Sequence, residues 1–176
     1  SSSMPAEPKS AMPKIIIDAF NVAMRHGGTL PDNRAFSSRG VEIVLEHYTK
    51  RDYDAMAFLP EYCLREGEAS RNRSGGRPFR MPDDVPLLKR LVKKNLLVLT
   101  PPQDYDDLYI ITYAQRHKGC VVTNDMYRDY VARCADSDKA RAWVKSHLIS
   151  FLFVQDEFLP NPGFEMPPLW EHGEVR

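Results

Sequence analysis

Three consecutive isoleucines, Ile15-Ile16-Ile17, stand between Lys14 and Asp18 with no polar residue among them. A half-buried strand alternates apolar and polar residues, whereas an unbroken β-branched run needs apolar cover on both faces. Lys14–Asp18 is therefore predicted to be a parallel strand with helices packed above and below it. The rest of the chain repeats the pattern. Tyr53–Leu59 (stopped by Pro60), Leu96–Thr100 (stopped by Pro101-Pro102), Cys120–Thr123 and Ile149–Val154 read as further strands. Between them, Arg39–Arg51, Asp83–Lys94, Asp106–His117, Met126–Arg133 and Ser137–His147 read as helices. In the first of these, Val41, Val44, Leu45 and Tyr48 fall at helical spacing after Ser37 and Ser38, which suit a cap. Asp83 or Asp84, Pro86, Lys93 and Lys94 suit the two ends of the second. Strands separated by helices predict a three-layer α/β/α fold with right-handed crossovers around a mostly parallel sheet of about five strands.

A chain of 176 residues is long enough for one domain with a core. The domain is expected over residues 14–160. Residues 1–13 are Ser/Pro/Ala-rich and expected to be disordered, and residues 161–176 form a Pro-rich tail that Leu169 and Trp170 are suited to dock. Lys plus Arg, 24, equals Asp plus Glu, 24, so net charge excludes neither nucleic acid nor a small substrate as partner. Cys63, Cys120 and Cys134 are odd in number, widely spaced and outside any zinc-ligand pattern. They read as reduced thiols of a cytoplasmic or nuclear protein. No apolar run suits a membrane span and no signal peptide is evident. The stretch from Glu61 to Pro82 is longer than a typical connection, and within it RNRSGGRPFR carries Arg71, Arg73, Arg77 and Arg80 without an acid.

The acids carry the chemistry. Asp18 ends the first strand with Asn21 three residues on, Asp106 and Asp107 open a helix, and Asp125 follows the fourth strand with Asp129 one helical turn later. In a parallel sheet the C-terminal strand ends share one edge, where ligands bind. Each acid alone is equally a helix cap or turn residue. Together at one edge they repel one another unless a hard cation joins them, which suits Mg²⁺, with Mn²⁺ as the alternative. Such a centre can activate water against a phosphodiester. The segment DAFNVAMRHGG lacks the glycine pattern of a dinucleotide fold and, with Phe20 at its third place, the D-x-D start of a haloacid-dehalogenase-type phosphatase. His26, beside Gly27 and Gly28, is the only histidine near this segment, and Trp143 reads as core.

Several stretches resemble one family in the same order: DAFNVAMRHG, FSSRG, YDDLYIITYA, VVTNDMYRDY and FVQDEFLPNPG. They are similar to the regnase-type NYN-domain ribonucleases, also called the MCP-induced-protein family, a branch of the PIN-like nucleases. The resemblance runs from about Ile15 to Gly163. It implies a PIN-like fold and Mg²⁺-dependent endonuclease activity on single-stranded RNA, in RNA decay or RNA silencing. The family's metal-binding acids map onto Asp18, Asp106, Asp107 and Asp125, and its site asparagine onto Asn21. Its Arg-Asp pair maps onto Arg128 and Asp129, and Arg39 matches a motif arginine. The resemblance also implies weak homodimerisation, and the family's CCCH zinc finger has no match here, which implies either a catalytic domain taken from a longer chain or protein partners for RNA targeting. Family members usually read Asp-Gly-Ser-Asn where this chain reads Asp18-Ala19-Phe20-Asn21, so packing is expected to shift between two retained functional positions. The competing reading is a catalytically silent RNA-binding or scaffold protein, which would be expected to lose an acid. A phosphatase, the third, would need a closed pocket.

If Arg71, Arg73, Arg77 and Arg80 contact phosphates, replacing all four with Ala will weaken RNA binding regardless of sequence. Each lost contact should reduce the slope of log K against log salt by roughly 0.7. A titration giving the same slope for variant and wild type would assign the loop to a solvated spacer.

Overall fold

The computed structural model describes residues 12–65, 82–101 and 106–167, with Asp106 described in its backbone only. Strand β1 (Ile15–Asp18) runs straight into helix α1 (Ala19–Thr29), and Asp18 caps that helix by accepting a hydrogen bond from the Asn21 N–H at 3.3 Å. Then come α2 (Ser38–Thr49), β2 (Ala55–Pro60) and a 3-10 turn over Glu61–Leu64. Helix α3 (Val85–Lys93), β3 (Leu97–Thr100), α4 (Asp106–Arg116) and β4 (Cys120–Val122) follow. Helices α5 (Arg128–Arg133) and α6 (Ser137–His147) precede β5 (Leu148–Ile149), β6 (Phe151–Val154) and β7 (Glu157–Pro160).

The main sheet has the order β3-β2-β1-β4-β5, and every neighbouring pair in it is parallel. The isoleucine run is its centre and is buried on both sides. Ile15 and Ile17 pack with Val22, Val41 and Leu88 of α1–α3, while Ile16 faces Ile111, Val144 and Trp143 of α4 and α6. This is the three-layer α/β/α arrangement with a five-stranded parallel sheet that the sequence predicts. From β1 the chain steps outward through β2 to β3, then returns to place β4 on the other side of β1. Strand order reverses between β1 and β4, and a crevice opens at such a switch point beyond the strand C-termini.

Two elements differ from the sequence expectation. Residues 19–29, for which the pattern predicts no element, form α1. Its buried positions Ala19, Val22, Ala23, His26 and Gly27 follow helical spacing, but two of them are not apolar side chains. The expected last strand breaks at Ser150. Leu148–Ile149 completes the parallel sheet, and Phe151–Val154 turns away to pair antiparallel with β7. The hairpin buries Phe151, Phe153 and Phe158 and leaves Leu152, Val154 and Leu159 outward. Phe153 lies 4.8 Å from the His26 ring and Phe158 4.9 Å from the His47 ring, which seats the hairpin on α1 and α2. His26 is itself buried, with Nδ1 2.6 Å from Ser37 Oγ and Nε2 2.8 Å from Asp156 Oδ1. It is thereby a structural bridge between α1, the start of α2 and the hairpin turn. In the expected tail, Phe164 and Met166 pack against the core, while Leu169 and Trp170 lie outside the described residues. Among the described residues no helix is long and apolar enough to cross a membrane.

Gly27 allows the loop after α1 to fold back tightly, because a Cβ there would lie 2.1 Å from the Arg34 carbonyl oxygen. Helix propensity alone favours Ala over Gly by roughly 1 kcal/mol. Gly27→Ala should nevertheless destabilise the protein, by about 1–3 kcal/mol or more from overpacking against backbone. Chemical denaturation of the two proteins decides between the opposite signs.

Candidate active site

Three of the acids expected at the sheet edge line one cleft at the β1–β4 switch point. Asp18 ends β1, Asp125 lies in the loop after β4, and Asp107 lies in the first turn of α4. All three line one cleft of about 270 Å³, together with Asn21 and Thr100. Asp107 and Asp125 also line an adjoining depression of about 310 Å³ that carries Arg128 and Asp129. The two hollows share Asp107 and Asp125 and both open to solvent, an arrangement that suits an extended ligand better than an enclosed phosphatase substrate.

Asp18 is the buried member, only 6 % exposed. Its Oδ2 accepts from the Thr123 hydroxyl at 2.9 Å and from the Tyr127 hydroxyl at 3.0 Å, and its Oδ1 takes the Asn21 N–H. Burial pushes its carboxyl above the ordinary value, and the Asp125 charge adds to the rise; the three donors pull the other way. The loop after β4 is wound to supply those donors. Thr123 Oγ1 accepts from the Asp125 N–H at 3.1 Å, and Asp125 Oδ1 accepts from the Tyr127 N–H at 2.8 Å. Tyr127 adopts φ 48°, the left-handed region, and is 2 % exposed. Burial together with the Asp18 and Asp107 charges holds its phenol well above the usual value, so it stays a donor.

Asn21 Oδ1 accepts from the Asn124 N–H at 2.9 Å, so this amide ties α1 to the β4 loop. Asn124 in turn exchanges two hydrogen bonds with the Phe151 backbone, each 2.9 Å, continuing the sheet ladder past the break at Ser150. Arg128 and Asp129 are exposed at the start of α5. Arg39 is exposed on α2, pairs with Glu42 and, at 3.8 Å, with Glu46, and does not line the cleft. The Asp106 side chain and Arg71, Arg73, Arg77 and Arg80 lie outside the described residues. Sequence reasoning missed Thr123, Asn124 and Tyr127. Their hydroxyls and amide carry no charge, and what gives them a role is partners far along the chain.

The donor set fits a hard divalent ion. Three carboxylates share one cleft, and Thr100 Oγ1, buried at the end of β3 and without a partner among the described residues, lines it too. Among the described residues no three His, Cys, Asp or Glu side chains are grouped closely enough to hold an ion between them. Mg²⁺ commonly keeps several waters and takes one or two carboxylates plus substrate phosphate, so it does not require three side chains around one point.

A doubly wound α/β domain with an acidic open groove at its switch point is the class of protein that this geometry defines. The chain belongs to the Zc3h12a-like ribonuclease NYN domain family, whose pattern matches residues 12–166. It is similar to endoribonuclease rege-1 of Caenorhabditis elegans, 27% identical over 171 residues, covering 91% of this chain and 24% of that protein. The chain thus spans about a quarter of that relative's length. Two solved structures of nuclear protein-only RNase P 2 from Arabidopsis thaliana share the fold. One has a TM-score of 0.61 at 21% identity, over 88% of this chain and 31% of that one. The other has a TM-score of 0.61 at 22% identity, over 90% of this chain and 32% of that one.

The Asp18 shift has a signed consequence. Its carboxyl is raised above 3.8 in the fold, so the folded state holds a proton that the unfolded chain has released. The associated stability is present below the unfolded value and lost as pH rises toward the folded one. In EDTA, Asp18→Asn should therefore be more favourable relative to wild type at pH 7 than at pH 4. Each 1 kcal/mol of relief would appear as roughly 2–4 °C in Tm. A Tm difference independent of pH would contradict the assignment.

Proposed function

We propose that this domain is a metal-dependent endoribonuclease that hydrolyses phosphodiester bonds of single-stranded RNA. The observation that carries this reading is the convergence of Asp18, Asp107 and Asp125 on one open groove at the switch point. Membership of a ribonuclease family supports RNA as the substrate, and the groove supports a chain over a small molecule. Asp18, Asp107 and Asp125, with Asp106, would hold Mg²⁺ or Mn²⁺. When bound, such an ion lowers the pKa of water and neutralises charge on a phosphoryl oxygen. Thr123 and Tyr127 fix the Asp18 carboxylate, so its orientation needs no rearrangement at the moment of reaction. A carboxylate not engaged by the ion, with Asp129 in reach of the groove, accepts the proton of the attacking water. Water adds to phosphorus as the bond to the leaving ribose oxygen breaks. Arg128, on the adjoining hollow, is placed to pair with a backbone phosphate. Three free thiols suit a cytoplasmic or nuclear setting, and RNA decay or RNA silencing is the process that such a cut would serve.

The test is incubation of end-labelled single-stranded RNA with the protein in Mg²⁺ or in EDTA. Cleavage should require the ion. Loss of a group that merely supports a metal ligand costs about 10–100-fold. Asp18→Asn and Asp107→Asn should accordingly each lower the rate by at least about a hundredfold. Cleavage that persists in EDTA, or in both variants with contaminating nuclease excluded, would sink the metal-site assignment. RNA binding with no cleavage in Mg²⁺ would favour the scaffold reading.

A further inference from the structure

We propose that the apolar part of the cleft is a seat for one unpaired nucleobase beside the scissile phosphate, built by Phe20, Met24, Pro60 and Tyr62. This rests on the ribonuclease reading above and goes on to name the part of the substrate that the cleft grips. The four side chains line the same cleft as Asp18, Asp107 and Asp125. Phe20 and Met24 are four residues apart on α1, hence on one face of that helix. Asn21 comes directly after Phe20, and Asp18 precedes α1. Asp18 and half of the apolar surface, Phe20 and Met24, are thus mounted on one continuous β1–α1 segment. The Phe20 ring is held in place edge-on against the buried Phe36, with centroids 5.7 Å apart at 75°. Met24 is 45 % exposed, a large apolar side chain left in solvent at the rim of an acidic cleft. Pro60 ends β2 and Tyr62 sits in the 3-10 turn after it, so this second pair comes from a different strand end.

The two halves of the cleft ask for different parts of one ligand. Carboxylates at one side accept a phosphate only through a cation. A ring, a thioether and a proline ring offer flat, polarisable, uncharged surface, which suits the face of a base. A strand with a phosphate at Asp18 and Asp125 would bring its neighbouring base against Phe20 and Met24, which line the same cleft. A base paired in a duplex keeps its faces stacked on its neighbours and has none to offer. The apolar wall therefore makes a free base a requirement for productive binding. Stacking of this kind tolerates any base, because every base has a π-face, so little sequence preference should come from it.

The experiment uses short single-stranded oligoribonucleotides that carry one abasic ribose on either side of a cleaved phosphate, alongside intact versions. Cleavage in Mg²⁺ and binding by fluorescence anisotropy are measured for wild type, Phe20→Ser, Met24→Ser and the conservative Phe20→Leu. Removing the flanking base should lower wild-type cleavage at that phosphate and weaken binding on the order of tenfold. Phe20→Ser and Met24→Ser should lose a similar factor on the intact strand and no longer distinguish it from the abasic one. Phe20→Leu should keep part of the discrimination, and Met24→Ser, at an exposed position, reports even if Phe20→Ser fails to fold. Equal cleavage with and without the flanking base overturns the base seat and leaves the ribonuclease reading standing. Base-dependent binding through Phe20 and Met24 with no cleavage of any strand does the reverse. Discrimination that is undiminished in both Ser variants also overturns the seat.

Discussion

A carboxylate at the end of the central strand, shut away from water, has to be given donors, and much of the architecture around the switch point answers that need. Burying a charge without partners is far costlier than the few kcal/mol by which a domain is stable. Asp18 receives an N–H from α1 and hydroxyls from Thr123 and Tyr127. To bring the last two round, the loop after β4 is tightly wound and Tyr127 takes φ 48°. A non-glycine residue held there costs on the order of 1–3 kcal/mol and persists only where its surroundings over-determine it. Here they do, since its ring is buried, its N–H is bound by Asp125 and its hydroxyl by Asp18.

The same logic extends outward through neutral polar groups. Asn21 grips the Asn124 backbone, and Asn124 replaces a missing strand residue against Phe151. His26 then joins Ser37 to the hairpin turn at Asp156. These contacts tie α1, the β4 loop and the hairpin into one unit. The cleft is thereby framed by parts whose relative positions are fixed before any ligand arrives, which is what differential stabilisation of a reacting group requires.

Much of this was legible from residue order, for identifiable reasons. The five parallel strands could be read because unbroken apolar runs admit few other structures, and the cleft acids because they stand at strand ends and a helix start. Helix α1 could not, since His26 and Gly27 occupy core positions of its buried face. The hairpin could not either. The run from Ile149 to Val154 looks continuous in sequence, and only the alternation of buried and exposed residues in β6 shows that it has left the sheet. Thr123 and Tyr127 reach Asp18 across 105 and 109 residues. No local pattern announces such a partnership. Arg39, placed at the site through the family resemblance, lies outside the cleft lining and pairs with Glu42 and Glu46, one and two turns along.

The position of β4 has a consequence for the life of the molecule. Strand β1 is made before either of its neighbours, and one of them is β4, about a hundred residues later in the chain. On the ribosome, β1, β2 and β3 can gather early, with one side of β1 still open and Asp18 lacking both hydroxyls. The groove is completed only when the segment through Tyr127 slots in and Asn124 meets Phe151. The donors that hold Asp18, with the Asn124–Phe151 tie, are therefore complete only after the segment through Phe151 has emerged.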